Sequence, residues 1–187
     1  MKTTAIEIKE ANLLEELVQI LELQEKNHRD VLGIDKGLAN GFLSVRHDLK
    51  LLKEMNDTSP QIIAKSDEKV VAFALVMLES FKNSVPALIP MFETLKEVLY
   101  KGKSITAYNY YVMGQICVDE SYRAIGIFDL LYAKHKEVYS TQYDICVTEI
   151  SSKNLRSMRA HKRVGFEVVY TFIDETDEWN IVVWDWK

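Results

Sequence analysis

Hydrophobic and polar positions divide the chain into alternating short strands and amphipathic helices. Residues 4 to 9 alternate, with Ile6 and Ile8 on one side, and predict a first strand. Leu14, Leu17, Val18 and Leu21 then recur at helical spacing, after Asn12 and Glu15 placed as a capping box. This predicts a helix over 13 to about 25. Residues 26 to 41, with Gly33, Gly37, Asn40 and Gly41, read as loop. A second helix is expected from Arg46 to Met55, with Leu49 and Leu52 inward, ended by Asn56-Asp57-Thr58-Ser59-Pro60. Gln61 to Lys65 and Lys69 to Glu79 read as a hairpin, its second strand apolar on both faces and so central. Residues 81 to 90 carry Pro86 and Pro90 and read as loop; Met91 to Tyr100 reads as a helix with Phe92, Leu95 and Leu99 inward.

A strand at about Ala107 to Val118 runs through a short turn, Arg123-Ala124-Ile125-Gly126, into a helix reaching Ser140. Tyr143 to Glu149 forms the next strand. A helix from Asn154 to Val164 follows, closed by Gly165, and Phe166 to Phe172 and Trp179 to Trp186 are the last two strands. This order predicts an α+β fold: one domain over residues 1–187, built on a mixed sheet that is partly parallel where the helix crosses over.

Bulk properties narrow the chemistry. The chain has 187 residues, enough to bury a core without disulfide or metal. Charged residues make up 27% and the net charge is −5, with no basic block to track a phosphate backbone, so nucleic acid is not expected as a partner. No apolar run is long enough to span a bilayer, no membrane association is expected, and no secretory signal is read at the N-terminus. Cys117 and Cys146 sit in apolar strand-like runs and read as core thiols of a cytoplasmic protein. The four histidines lack ligand spacing, and no metal is expected.

Two features carry chemistry. A strand, a tight turn and a helix N-terminus present unpaired N–H groups to phosphate. Gly126 supplies permissive geometry there and Arg123 a cation. Alone, Arg-x-x-Gly is common and equally describes a turn with no ligand. On the following helix Asn154, Ser157 and His161 share one face, and the two crossovers are consecutive, so their helix starts stand side by side where open α/β sheets bind ligands.

Arg123-Ala124-Ile125-Gly126-Ile127-Phe128, followed by Asn154-Leu155-Arg156-Ser157 and Gly165-Phe166, resembles the acetyl-CoA motifs of the GCN5-related N-acetyltransferases. The resemblance implies a sheet of about seven strands with a splay between the fourth and fifth, and a helical insertion at about 81–106. It implies acetyl-CoA as co-substrate: main-chain groups of Ile116, Cys117 and Val118 on the pantetheine arm, amides from Ala124 through Ile125, Gly126 and Ile127 to Phe128 on the pyrophosphate, and Asn154 and Ser157 along the channel. It implies direct acyl transfer to a primary amine of a small molecule, peptide or protein, with the oxyanion held by a main-chain N–H at or near Val118. Two positions depart from the family pattern. Phe128 replaces a small residue and must turn away from the phosphates or crowd them. His161 replaces a tyrosine that protonates the departing thiolate; it can serve as acid or only pack on cofactor. Glu149 is the candidate base and Gln115 could position a water. Residues 26–46 and 80–110 are expected to shape the acceptor site, with Tyr100, Tyr108, Tyr110 and Tyr111 either walling a cleft or packing as strand tyrosines. The edge strands and C-terminal tryptophans allow a homodimer. The alternative reading is an acyl-CoA-binding sensor or interaction module without strong catalysis.

Overall fold

The computed structural model describes residues 5–32 and 42–187. Seven strands form one sheet in the order β1-β2-β3-β6-β7-β9-β8. These are β1 (Ile6–Glu10), β2 (Ile62–Ser66), β3 (Lys69–Met77), β6 (Tyr110–Val118), β7 (Ile145–Ser151), β8 (Glu167–Ile173) and β9 (Glu178–Asp185). All pairings are antiparallel except β6 with β7, as expected for a sheet with one parallel crossover. Helices α1 (Leu14–Lys26) and α3 (Leu49–Thr58) cover one face together with α4 (Ile89–Glu97), and the short α2 (Arg29–Leu32) follows α1 with no buried residue. Helix α5 (Ile127–Tyr139) and α6 (Leu155–Val164) cover the other. The first face packs Leu17, Ile20, Leu52 and Phe92 on the sheet, and the second packs Leu131 and Tyr132.

Several local expectations change. Helix α1 is capped at Leu13 and not at Asn12. Glu16, not Glu15, reaches back to the amides of Asn12 (2.9 Å) and Leu13 (3.2 Å), while the Asn12 side chain accepts from Lys9. Part of the expected loop at 26–41 is helical (α2), and the glycines at 33, 37 and 41 with Asn40 lie outside the described residues. Helix α3 runs through Asn56, Asp57 and Thr58 before Ser59 ends it. Residues 81–90 are not loop. Two 3-10 turns, Glu79–Ser84 and Pro86–Leu88, lead into α4, because each proline stands at a helix start, where a missing N–H costs nothing.

Helix α4 also stops sooner than expected. Leu99–Tyr100 (β4) and Lys103–Ser104 (β5) form a small hairpin, turned by Lys101 at φ 47° and Gly102 at φ 80°. Two successive left-handed residues make the turn a strand reversal, so Lys-Gly here is a hairpin signal and not a helix stop. Leu99 consequently points outward, 67% exposed. The tyrosine cluster divides across the sheet. Tyr100, Tyr108 and Tyr110 pack with α4, whereas Tyr111 is fully buried under α5. Cys117 and Cys146 are buried free thiols. No helix among the described residues is long and apolar enough to cross a membrane.

Candidate active site

The site begins with one glycine inside a strand. Opposite β3, Gln115 pairs with Leu75 and Met113 with Val76, so Gly114 is an extra, bulged residue. A Cβ there would stand 3.0 Å from the Cβ of Met77, so a larger residue would crowd β3 at the bulge. Bulges bend a strand, and β6 leaves β7 at this point. The two pair only through Tyr110–Ile145, Tyr111–Cys146 and Val112–Val147. The Thr148 hydroxyl donates to the carbonyl of Met113 (2.7 Å) where the ladder ends. Beyond it the strands diverge, which is the expected splay.

Backbone alternation settles which groups face the gap. The Asp119 amide donates to Val71 on the β3 side (2.8 Å), so Cys117 and Gln115 also turn their N–H groups toward β3. Ile116 and Val118 turn theirs into the gap. Of the three residues expected to offer main-chain groups there, Cys117 therefore does not. The bulge also reverses side-chain parity, placing Gln115 on the α1 face. There it donates to the carbonyl of Val45 (2.6 Å) and accepts from Gln24 (2.7 Å), whose side chain also contacts His47. Gln115 is held by this buried network, which leaves one N–H and one lone pair of its amide where it lines the second cavity.

Next to the gap lies the turn. Ala124 (φ 63°) and Gly126 (φ 87°) are both left-handed, and Gly126 caps α5 without a side chain. Ala124, Ile125 and Gly126 are exposed, and among the described residues the N–H groups of 124–128 meet no acceptor. Alternating handedness of this kind curls amides into an anion-binding concavity. Arg123 holds the turn in place, its Nε donating to Val118 O and its Nη2 to Asn27 Oδ1, both at 2.9 Å. The Phe128 ring packs toward α6, edge-on to His161 (5.2 Å between centroids) and against Tyr132.

A cavity of about 330 Å³ opens between this turn, the end of β6 and the first half of α6. Asn27, Leu43, Val118, Phe128, Asn154 and Ser157 line it. So do four arginines: 123, 156, 159 and 163. Arg163 forms a two-pronged pair with Asp129. Arg156 and Arg159 meet no carboxylate or other acceptor among the described residues, and burial together with the neighbouring Arg123 and Arg159 holds the Arg156 pKa below its usual value. A crowd of unneutralised guanidiniums around exposed amides is suited to a polyanion. The i, i+3, i+7 spacing of Arg156, Arg159 and Arg163 is the sequence signal for it.

A second cavity of about 90 Å³ adjoins the first, sharing Leu43, Ile116, Asn154 and Ser157, and continues into the gap. Glu149 and Trp179 line it on the α1 face. The Glu149 carboxylate has no hydrogen-bond partner among the described residues. Burial, and secondarily the charge of Asp174, push its pKa up to about 8. Phe42, Leu43 and Ser44 form the facing wall. Of the two segments expected to shape the acceptor site, only the first contributes among the described residues. Residues 80–109 line neither cavity and cover the sheet instead.

His161 borders the gap but is 3% exposed. Its Nδ1 donates to the carbonyl of Ser157 (2.9 Å), which leaves Nε2 to accept from the Tyr132 hydroxyl (2.6 Å). Burial lowers its pKa to about 4. At neutral pH it is an uncharged imidazole with both ring nitrogens bonded, the arrangement that the packing alternative describes. Asn154 caps α6 through its side chain, accepting from the amide of Ser157 (3.1 Å).

No protein-family model matches the chain, and no curated protein matches it. Solved structures do. A chain of the NatC complex bound to Gag peptide and CoA superposes with a TM-score of 0.66 at 12% identity, over 97% of this chain and 99% of that one. Arabidopsis thaliana NAA60 in complex with acetyl-CoA gives 0.64 at 14% identity, over 97% and 100%. An acetyltransferase of the GNAT family from Streptococcus pneumoniae gives 0.62 at 12% identity, over 96% and 98%. Together with the bulged, splayed sheet and the turn beside it, these likenesses establish that the chain has the fold of the GCN5-related N-acetyltransferases.

Proposed function

We propose that this chain is an acetyl-CoA-dependent N-acetyltransferase that passes an acetyl group directly to a primary amine. The observation that carries the reading is the junction of the two cavities: an arginine-lined bowl of free amides opens into a gap that ends at a half-buried carboxylate with no hydrogen-bond partner among the described residues. In this reading the amides of residues 124–128 take the pyrophosphate, and Arg156 and Arg159 neutralise the phosphates. The N–H groups of Ile116 and Val118 extend the sheet onto the pantetheine arm, and one of them holds the oxyanion. Solved proteins of the same fold carry CoA or acetyl-CoA, one of them with a peptide beside it, and so a peptide or protein amine is the first acceptor to try. The whole chain acts as a single transferase domain, with the segment at about 81–106 as an insertion that buttresses the sheet.

The amine arrives protonated, with a pKa near 10, and must lose a proton to attack. Glu149 takes it. A base with a pKa of about 8 is better matched to an ammonium than an ordinary carboxylate is. The tetrahedral intermediate collapses by breaking the C–S bond. The thiolate leaves without an imidazolium donor, since a thiol pKa near 8.5 makes it a tolerable leaving group.

Calorimetry with acetyl-CoA and CoA, followed by thiol release over a panel of amines and peptides, tests the reading. Binding and turnover support it, and failure to bind either compound overturns it. Binding without turnover on any amine favours a sensor, a reading that the saturated hydrogen bonds of His161 keep open. Glu149→Gln should lower kcat by at least 100-fold and remove the acidic limb of the pH–rate profile near pH 8. An unchanged profile removes Glu149 as base.

A further inference from the structure

The cavity for the phosphates and the wall facing Glu149 meet at one side chain. Asn27 is the C-cap of α1 and is buried. Its Oδ1 accepts from Arg123 Nη2 (2.9 Å), and its Nδ2 donates to Leu23 O (2.9 Å). Its main-chain carbonyl accepts from the Leu43 amide (3.0 Å), and Leu43 O accepts from the Arg29 amide (3.0 Å). Leu43 lines both cavities. Arg123 in turn is fixed to Val118 O, at the end of the strand that borders the gap. A continuous series of hydrogen bonds thus runs from the phosphate turn, through Arg123 and Asn27, to the wall of the acceptor side.

We propose that Asn27 is a positioning residue: through Arg123 it makes the wall at Leu43 respond to occupation of the phosphate turn, so that the acceptor side is set only when the acyl donor is bound. The inference rests on reading the larger cavity as the coenzyme A site. Two features argue for this role over simple packing. The Arg123 guanidinium is spent on Asn27 and Val118, so whatever seats on the turn acts on Asn27 through a cation already fixed at two points. Farther along, the wall is fixed independently. The Val45 carbonyl is held by Gln115, the His47 amide by Gln24, and the Arg46 guanidinium by Glu25 and Asp30. The Leu43 end is therefore the part of the wall left to answer to Asn27.

Hydrogen exchange read by mass spectrometry, with and without saturating CoA, tests this in the full chain. In the wild type CoA should slow exchange at residues 124–128 and also at 42–44. In Asn27→Leu the turn should remain protected, whereas the change at 42–44 should fall to less than a third. Asn27→Asp keeps an oxygen for Arg123 and should restore it; a merely structural cap would not separate the two variants in this way. Protection at 124–128 without any change at 42–44 in the wild type overturns the proposal alone, as does a change that survives in Asn27→Leu or is lost equally in Asn27→Asp. No CoA-dependent change anywhere overturns the functional reading and this inference with it.

Discussion

Two helices begin side by side at the site, and they begin differently. Helix α5 starts at Gly126 with no side-chain cap, and its first amides are open. Helix α6 starts at Asn154, whose side chain closes onto the Ser157 amide; Ser151 closes onto the Lys153 amide and is itself bonded to Asp177. Both N-termini carry the same partial positive charge. The uncapped one leaves all of its first amides to a ligand, whereas the Asn154 cap takes one from α6, so α5 offers mainly backbone and α6 adds side chains. The arginines of α6 complement this division: beside its partly capped N-terminus, the helix brings charge to the cavity through residues 156, 159 and 163.

The contrast is broken most severely by giving α5 a cap of its own. In Gly126→Asp the carboxylate would accept from the first α5 amides and repel phosphate. Aspartate tolerates the left-handed conformation better than most residues, and an added Cβ meets nothing within 4 Å, so the fold should survive. CoA affinity measured by calorimetry should fall by about 100-fold, the equivalent of about 2.7 kcal/mol. Retained affinity would mean that phosphate does not seat on α5. Next in size, Arg156→Ala and Arg159→Ala should each weaken CoA binding by about 10-fold at low salt, from loss of one charged contact. Each variant should also flatten the dependence of affinity on salt; an unchanged salt slope would place the phosphates elsewhere.

Much of the sheet and of α5 was legible because a period of two or of 3.6 records which face is buried, and Ile127, Leu131 and Tyr139 obey it. The motif residues were legible because turn geometry needs particular residues, as at Gly126 and Gly165. What was missed depends on long-range partners. Gly114 looked like an ordinary strand residue until pairing with β3 showed it to be extra. For His161 the choice between acid and packing depends on Tyr132, 29 residues away, which bonds to its Nε2. Gln24 and His47 gave no local signal, since their network closes only when α1, the 43–48 segment and β6 meet. The capping residues of α1 and the end of α4 differ from expectation because a cap can come from the following turn, and because Lys101-Gly102 reads as either a stop or a reversal.

The cap on α6 should matter to stability more than to ligand. Asn154→Ala removes the bond to Ser157 and should cost about 1 kcal/mol, lowering Tm by roughly 2–4 °C for a chain of this size. CoA affinity should fall far less than in Gly126→Asp. Equal losses in the two variants would erase the distinction between the helices.

The smallest effect sharpens the comparison inside the turn itself. Ala124 holds φ 63° with a Cβ, whereas Gly126, two residues on, holds φ 87° without one. A left-handed residue with a Cβ carries strain of about 1–2 kcal/mol. Replacing it with glycine removes that strain but frees the unfolded chain, which costs about 0.5–1 kcal/mol. Ala124 is exposed, so its methyl contributes little packing to offset either term. Ala124→Gly should therefore stabilise by about 0.5 kcal/mol, and differential scanning calorimetry should register a rise in Tm of roughly 1–2 °C. Gly126→Ala should move Tm the opposite way by a similar amount, because it adds the strain and removes the same entropy. If both substitutions lower Tm, the strain at Ala124 is already offset by contacts that its methyl makes, and the turn is held by packing and not only by the Arg123 bonds to Val118 and Asn27.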